Sequence, residues 1–170
     1  MLDIEAARDQ LRASADAIQS IVSRMTDEEA AYKPSPERWS VHEVLCHLLH
    51  EETLDFRRRL DLTLHHPEME WPGIDPEATV REETHTLSWR DTLTAFLAAR
   101  VESLEWLGSV SQPNLEQAHT HPRFGAMAAA TLLHSWVGHD LLHLRQILRL
   151  SWDQLTERAQ PHTTMYAGDW

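Results

Sequence analysis

In four stretches of this chain apolar residues recur every three or four positions, and that period constrains the fold more than any other feature. Ile4, Ala7, Leu11, Ala15, Ile18, Val22 and Met25 draw one stripe along a first helix. Val41, Val44, Leu45, Leu48, Leu49, Phe56 and Leu60 draw a second, which runs to Leu64 and opens on the capping box of Ser40 and Glu43. Ser88 with Asp91 opens a third, whose Leu93, Phe96, Leu97, Val101, Leu104 and Leu107 keep the rhythm until Gly108 and Pro113 close it. Ala130, Leu133, Val137, Leu141, Leu144, Ile147, Leu148 and Ser151 describe a fourth, starting near Ala126. Its length of about 26 residues corresponds to roughly 39 Å.

The connections are irregular. Thr26 and Glu29 form a second capping box, but Pro34 and Pro36 leave room for only a short turn of helix. His65 to Ala78, with Pro67, Pro72, Gly73 and Pro76, reads as a long crossover loop. The stretch between Pro113 and Ala126 shows no period. Four amphipathic helices bury their stripes most economically in an all-α four-helix bundle. With 170 residues, 5 Gly and 8 Pro, one such domain over residues 1–158 and a C-terminal tail over 159–170 account for the chain.

Acidic residues outnumber basic ones, 27 to 15, and the net charge of -12 would repel nucleic acid and anionic lipid. The expectation is no nucleic-acid partner. No apolar run approaches the roughly 20 residues needed to cross a bilayer, so no membrane role is expected either. Met1 to Glu5 carries acid where a signal peptide carries base, and the single cysteine, Cys46, excludes an intrachain disulfide framework. A cytoplasmic location is expected.

The polar residues on the stripes are chiefly histidines. Twelve occur, and random placement would give about 0.8 pairs at four-residue spacing, so the one such pair, His139 and His143, proves nothing by spacing alone. Its setting adds more. The two rings lie one turn apart on a helix otherwise filled with Leu, Val and Ile, where they can share one metal ion or stand as ordinary histidines at the edge of the stripe.

His47 supplies a third candidate, wedged between Leu45, Leu48 and Leu49. An imidazole there needs an ion or a hydrogen-bond partner such as a backbone carbonyl. Three neutral imidazoles would leave coordination positions open for water or substrate. His50 and Glu51 follow on the same side of the helix, as a spare ligand, a partner to a ligand, or, for Glu51, a general base. His42 and His134 are turned about 140° from the proposed ligands and should point elsewhere. His65, His66, His119 and His121 fall in loops where solvated histidine is the ordinary case, and Cys46 is expected to pack in the bundle.

Trp39-Ser40-Val41 opening a helix, Cys46-His47-Leu48 within it, and His139-Asp140-Leu141-Leu142-His143-Leu144-Arg145-Gln146-Ile147 in the last helix together resemble the DinB/YfiT-like superfamily of metalloenzymes. His121-Pro122-Arg123-Phe124-Gly125 ahead of the last helix is also similar, so the resemblance covers Pro34 to Leu150. It implies an up-down-down-up bundle, a divalent ion held by His47, His139 and His143, and a homodimer. The seven tryptophans, several outside the stripes, add to the expectation of a partner surface.

The function this implies is a divalent-metal-dependent enzyme acting on a small-molecule substrate. The ion would activate a water or a low-molecular-weight thiol, as in a hydrolase or a thiol transferase, with Glu51 assisting proton transfer. Zinc or nickel suits three imidazoles first, with manganese or iron as alternatives. A non-catalytic metal-binding stress-response protein is the competing expectation.

Overall fold

The computed structural model describes residues 3–75, Val80, 86–168 and Trp170. Helix α1 spans Ile4–Val22 and the short α2 spans Asp27–Ala31, and α3 covers Val41–His50. A π-helical segment, Glu51–Asp55, joins α3 directly to α4, Phe56–His65. Helix α5 covers Trp89–Ser109, and a hairpin of β1, Ala118–His121, and β2, Gly125–Ala128, leads into α6, Ala129–Arg158. The capping boxes form as the sequence predicts: Glu29 N–H donates to Thr26 Oγ1, and Glu43 N–H to Ser40 Oγ, each at 3.2 Å.

Pairwise contacts fix the course of the bundle. Arg8 Nε donates to the Leu104 carbonyl at 2.9 Å and Arg100 Nη1 to the Leu11 carbonyl at 2.8 Å, so α1 and α5 run antiparallel. His42 meets Thr92, Glu52 meets Arg100 and Arg57 meets Glu102, so the second long helix and α5 run parallel. Arg38 with Asp153, His47 with His143 and Glu52 with Trp136 run in opposite order, which sets α6 antiparallel to the second helix. Ala7 and Leu11 pack with Leu132, Leu133 and Trp136, and Ile18 and Val22 with Ile147 and Leu150, so α1 and α6 are parallel. The course is up, down, down, up. Two parallel neighbours, α4 and α5, require the long crossover after His65, of which residues 76–78 lie outside the described residues.

Three features differ from the sequence expectation. The second helix is not continuous, because the π-helical segment inserts wider turns at Glu51–Asp55. Those turns bury all three of its acidic residues, Glu51, Glu52 and Asp55. The stretch before α6 is a hairpin pairing Ala118 with Ala128 and His121 with Gly125. Four-residue strands of Ala, His, Thr, Gly and Met show no alternation, so nothing in their pattern announces them. At its turn Gly125 takes φ +72°, and the Arg123 and Phe124 N–H groups donate to His121 Nδ1 at 3.1 and 3.2 Å. Finally, α6 begins at Ala129 and runs 30 residues, because Gln154 donates to the Glu29 carbonyl and Arg158 pairs with Glu29, tying its last turns to α2.

Candidate metal centre

The core divides into two apolar clusters. One lies around Ile18, Val44, Phe96 and Ile147, the other around Leu11, Leu60, Leu104 and Trp136. Polar side chains gather between them. His47, on α3 one turn before the π-helical segment, faces His139 and His143 on α6. Its Nε2 lies 3.0 Å from His139 Nε2, which in turn lies 3.1 Å from His143 Nε2. One nitrogen from each ring falls within 4.8 Å of the others. Trp39 covers one side, with centroids 5.0 Å from His47 and 6.4 Å from His143, and Phe56 covers His139 at 5.1 Å.

The cluster does not satisfy itself. His143 Nδ1–H donates to Gln146 Oε1 at 2.8 Å, which leaves the His143 Nε2 lone pair aimed at His139. The single Nε2 of His139 can donate one hydrogen or offer one lone pair, so it cannot complete both of its contacts. A cation at the point of convergence resolves this. Bonds of about 2.0–2.1 Å from imidazole nitrogen to metal put two ligand nitrogens about 2.8–3.4 Å apart for bond angles of 90–110°. The spacings of 3.0 and 3.1 Å fall inside that interval.

Electrostatics favour the ligating form. Burial, reinforced by the neighbouring histidines, lowers His47 to about 3 and His139 to about 2, and burial also lowers His143. All three are therefore neutral at physiological pH, the state in which imidazole binds metal. His50 is buried too, but its Nδ1 lies 3.6 Å from Glu51 Oε1 and it takes no part in the convergence. His134 is exposed, and His42 meets Thr92. His65 and His66 are exposed, whereas His119, expected to be solvated, is not. It is 7% exposed, stacked at 4.5 Å on Trp71, and its Nδ1–H donates to the Pro67 carbonyl at 3.0 Å. The crossover loop and the hairpin clamp it between them, a tertiary contact that its loop position could not reveal.

Glu51 stands behind His47, its Oε1 3.8 Å from His47 Nδ1, on the opposite side of the ring from the convergent Nε2. Burial first, and then a hydrogen bond with Asp55, raise its pKa to about 8. Asp55 in turn pairs with Arg59 at 2.6 Å. His47, Glu51, Asp55 and Arg59 thus form a polar line down the second helix, away from the cluster.

Sequence reasoning missed a second polar group beside the site. Arg100, 2% exposed, donates to Glu52 Oε1 and Oε2 at 2.9 and 2.7 Å and to Asp140 Oδ2 and Oδ1 at 2.5 and 3.0 Å. Trp136 Nε1–H donates to Glu52 at 3.0 Å. Two buried carboxyls share one guanidinium, and Asp140 follows His139 directly, so the network holds α6 in rotation about its axis. The signal was present in the sequence: Arg100 stands four residues from both Phe96 and Leu104, inside the apolar stripe.

A bundle with this course, in which one buried and two half-buried histidines converge from two helices, belongs to a class defined by a tri-histidine centre in a helical bundle. The model of the DinB superfamily matches residues 10–147, and the chain belongs to that superfamily. Its fold is similar to that of YfiT from Bacillus subtilis, described as a probable metal-dependent hydrolase with an unusual four-helix bundle topology. The two share 18% identity at a TM-score of 0.78, over 89% of this chain and 87% of that one. Among curated protein sequences, none matches this chain.

Proposed function

We propose that the chain is a divalent-metal-dependent enzyme, with His47, His139 and His143 as ligands, acting on a small molecule as a hydrolase or a thiol transferase. The observation that carries the reading is the convergence of three neutral Nε2 atoms that cannot satisfy one another. A divalent ion held there supplies Lewis acidity and lowers the pKa of a water or a low-molecular-weight thiol; zinc and nickel suit imidazole donors first, with manganese and iron also accepted.

The chain's own residues do the rest. Gln146 holds His143 in the tautomer that presents Nε2. Glu51, its Oε1 3.8 Å from His47 Nδ1, is the carboxyl nearest the ligands on the second helix and assists proton transfer from that side. Trp39 and Phe56 limit water on two sides, and the open side faces a cavity of about 560 Å³ that His143 lines.

We also infer a cytoplasmic homodimer. The tryptophans do not support it, since only Trp170 of the seven is exposed. Leu141, Leu148 and Leu155 do: they are 54%, 39% and 53% exposed and recur every seven residues on one face of α6. Among the described residues no helix is long and apolar enough to cross a membrane.

The test is turnover by the zinc- and nickel-loaded, untagged protein against a panel of esters, amides and thiol-acceptor pairs. Turnover lost on chelation supports the enzyme. Stoichiometric binding with no turnover in either panel would replace it with a metal-binding protein.

A further inference from the structure

Charge on this chain is predominantly negative, yet the cavity beside the histidine cluster reverses that sign. Arg38, Arg145 and Arg149 line it together with His143 and Trp170, and among the described residues no acidic side chain lines it. Two of the three cations are held in place. Asp153 sits outside the lining and accepts from Arg38 Nη1 at 3.1 Å through Oδ2 and from Arg149 Nε at 2.8 Å through Oδ1. One carboxylate thus orients two guanidiniums and neutralises only one. Arg145 has no ion-pair partner among the described residues and is exposed. It precedes Gln146, whose carbonyl fixes His143, and follows His143 by two positions on the same helix.

Three guanidiniums line the cavity and two of them share a single carboxylate, so positive charge prevails among the described side chains at the mouth of the site. Arginine forks match the planar oxygens of carboxylates and the tetrahedral oxygens of phosphates, and a cleft with low-dielectric walls focuses that field. We infer that this cavity binds the anionic oxygen group, carboxylate or phosphate type, of a small-molecule substrate, with Arg145 as the unpaired anchor and Arg38 and Arg149 as the pre-oriented pair. The inference rests on the functional reading above for what happens at the histidines, but not for the anion contact itself. It narrows the substrate class: an anionic molecule whose reacting group reaches His143 while its charged end stays among the arginines. Electroneutral esters and amides fall outside it.

The experiment separates the anion site from the metal site by using both the chelator-treated and the zinc-loaded full chain. Benzoate and phenylphosphonate are titrated against each at about 0.02 M ionic strength, where screening is weak, with methyl benzoate as the uncharged control. Binding is read from tryptophan fluorescence and from Arg Nε–H shifts in NMR spectra. The expected result is saturable binding of at least one anion to the metal-free protein and none of the ester. Arg145→Gln and Arg149→Gln should each weaken binding by about tenfold, the scale of one charge-assisted contact, while Arg12→Gln on α1 changes nothing. The better of the two anions tells carboxylate from phosphate.

Binding of anions to the zinc-loaded form alone would overturn the pocket and leave the metal reading intact. Equal binding of the ester, no binding of any probe, or an Arg145→Gln effect below twofold would also overturn it. If zinc fails to bind while the arginine-dependent anion site persists, the metal reading fails and this one stands.

Discussion

Replacing Arg100 with methionine probes the polar layer that divides the core. The side chain makes five hydrogen bonds: two to Glu52, two to Asp140 and one to the Leu11 carbonyl. Methionine fills much of the volume and restores none of them. Glu52 and Asp140, each 1% exposed, are then left as carboxyls in an apolar interior. Breaking a buried pair from one side costs about 3–5 kcal/mol, against a typical domain stability of about 5–15 kcal/mol.

The pH dependence gives the mechanism a second test. Burial already raises Asp140, and without the guanidinium that carboxyl shifts further above its unfolded value of about 4. An acid raised in the folded state stabilises the fold when protonated. The deficit of the variant relative to the parent should therefore be largest at neutral pH and shrink as pH falls toward 5. Urea unfolding of the metal-free proteins at pH 7 and pH 5 reads both quantities. Adding Glu52→Gln and Asp140→Asn to the variant should recover part of the loss at pH 7, because no charge then remains buried. A loss under about 1 kcal/mol, below the range for a broken buried pair, would refute the reasoning. So would a deficit that does not change with pH.

Three further outcomes follow from the same geometry. Gln146→Leu removes the acceptor of His143 Nδ1–H, and the zinc dissociation constant, measured by chelator competition, should rise about 10–100-fold with the fold unchanged by circular dichroism. His47 and His139 are held near 3 and 2 by burial, below the unfolded value of about 6.5. The unfolded chain therefore binds more protons as pH falls through 6.5, so the metal-free protein should lose stability from that point downward, and a His47→Ala variant should show a shallower loss in urea unfolding. Leu148→Glu on the exposed stripe of α6 should convert a dimer to a monomer in sedimentation at micromolar concentration, and a parent that is already monomeric would remove the proposed interface.

The bundle was legible because burial of an amphipathic helix leaves its period in the sequence. Leu11, Ile18, Phe96 and Leu133 stand on the predicted stripes and are fully buried. His47, His139 and His143 could be singled out for a related reason, since a polar residue on an apolar stripe needs a partner. The same rule should have selected Arg100, whose place between Phe96 and Leu104 is as anomalous as that of His47. The π-helical segment was not legible. Where the extra turn falls depends on where Glu52 finds its partners, Arg100 and Trp136, and those lie on other helices. Nor was the burial of His119, which depends on Trp71 and Pro67, 48 and 52 residues away in sequence.

The most direct test of the central reading is metal stoichiometry. The untagged protein, dialysed with excess zinc or nickel and then against buffer alone, is analysed by plasma mass spectrometry beside five single-alanine variants. One ion per chain in the parent is expected, with loss in His47→Ala, His139→Ala and His143→Ala and retention in His42→Ala and His134→Ala. A parent that retains no ion with any of zinc, nickel, manganese or iron, or three cluster variants that retain it as well as the parent does, would contradict the account.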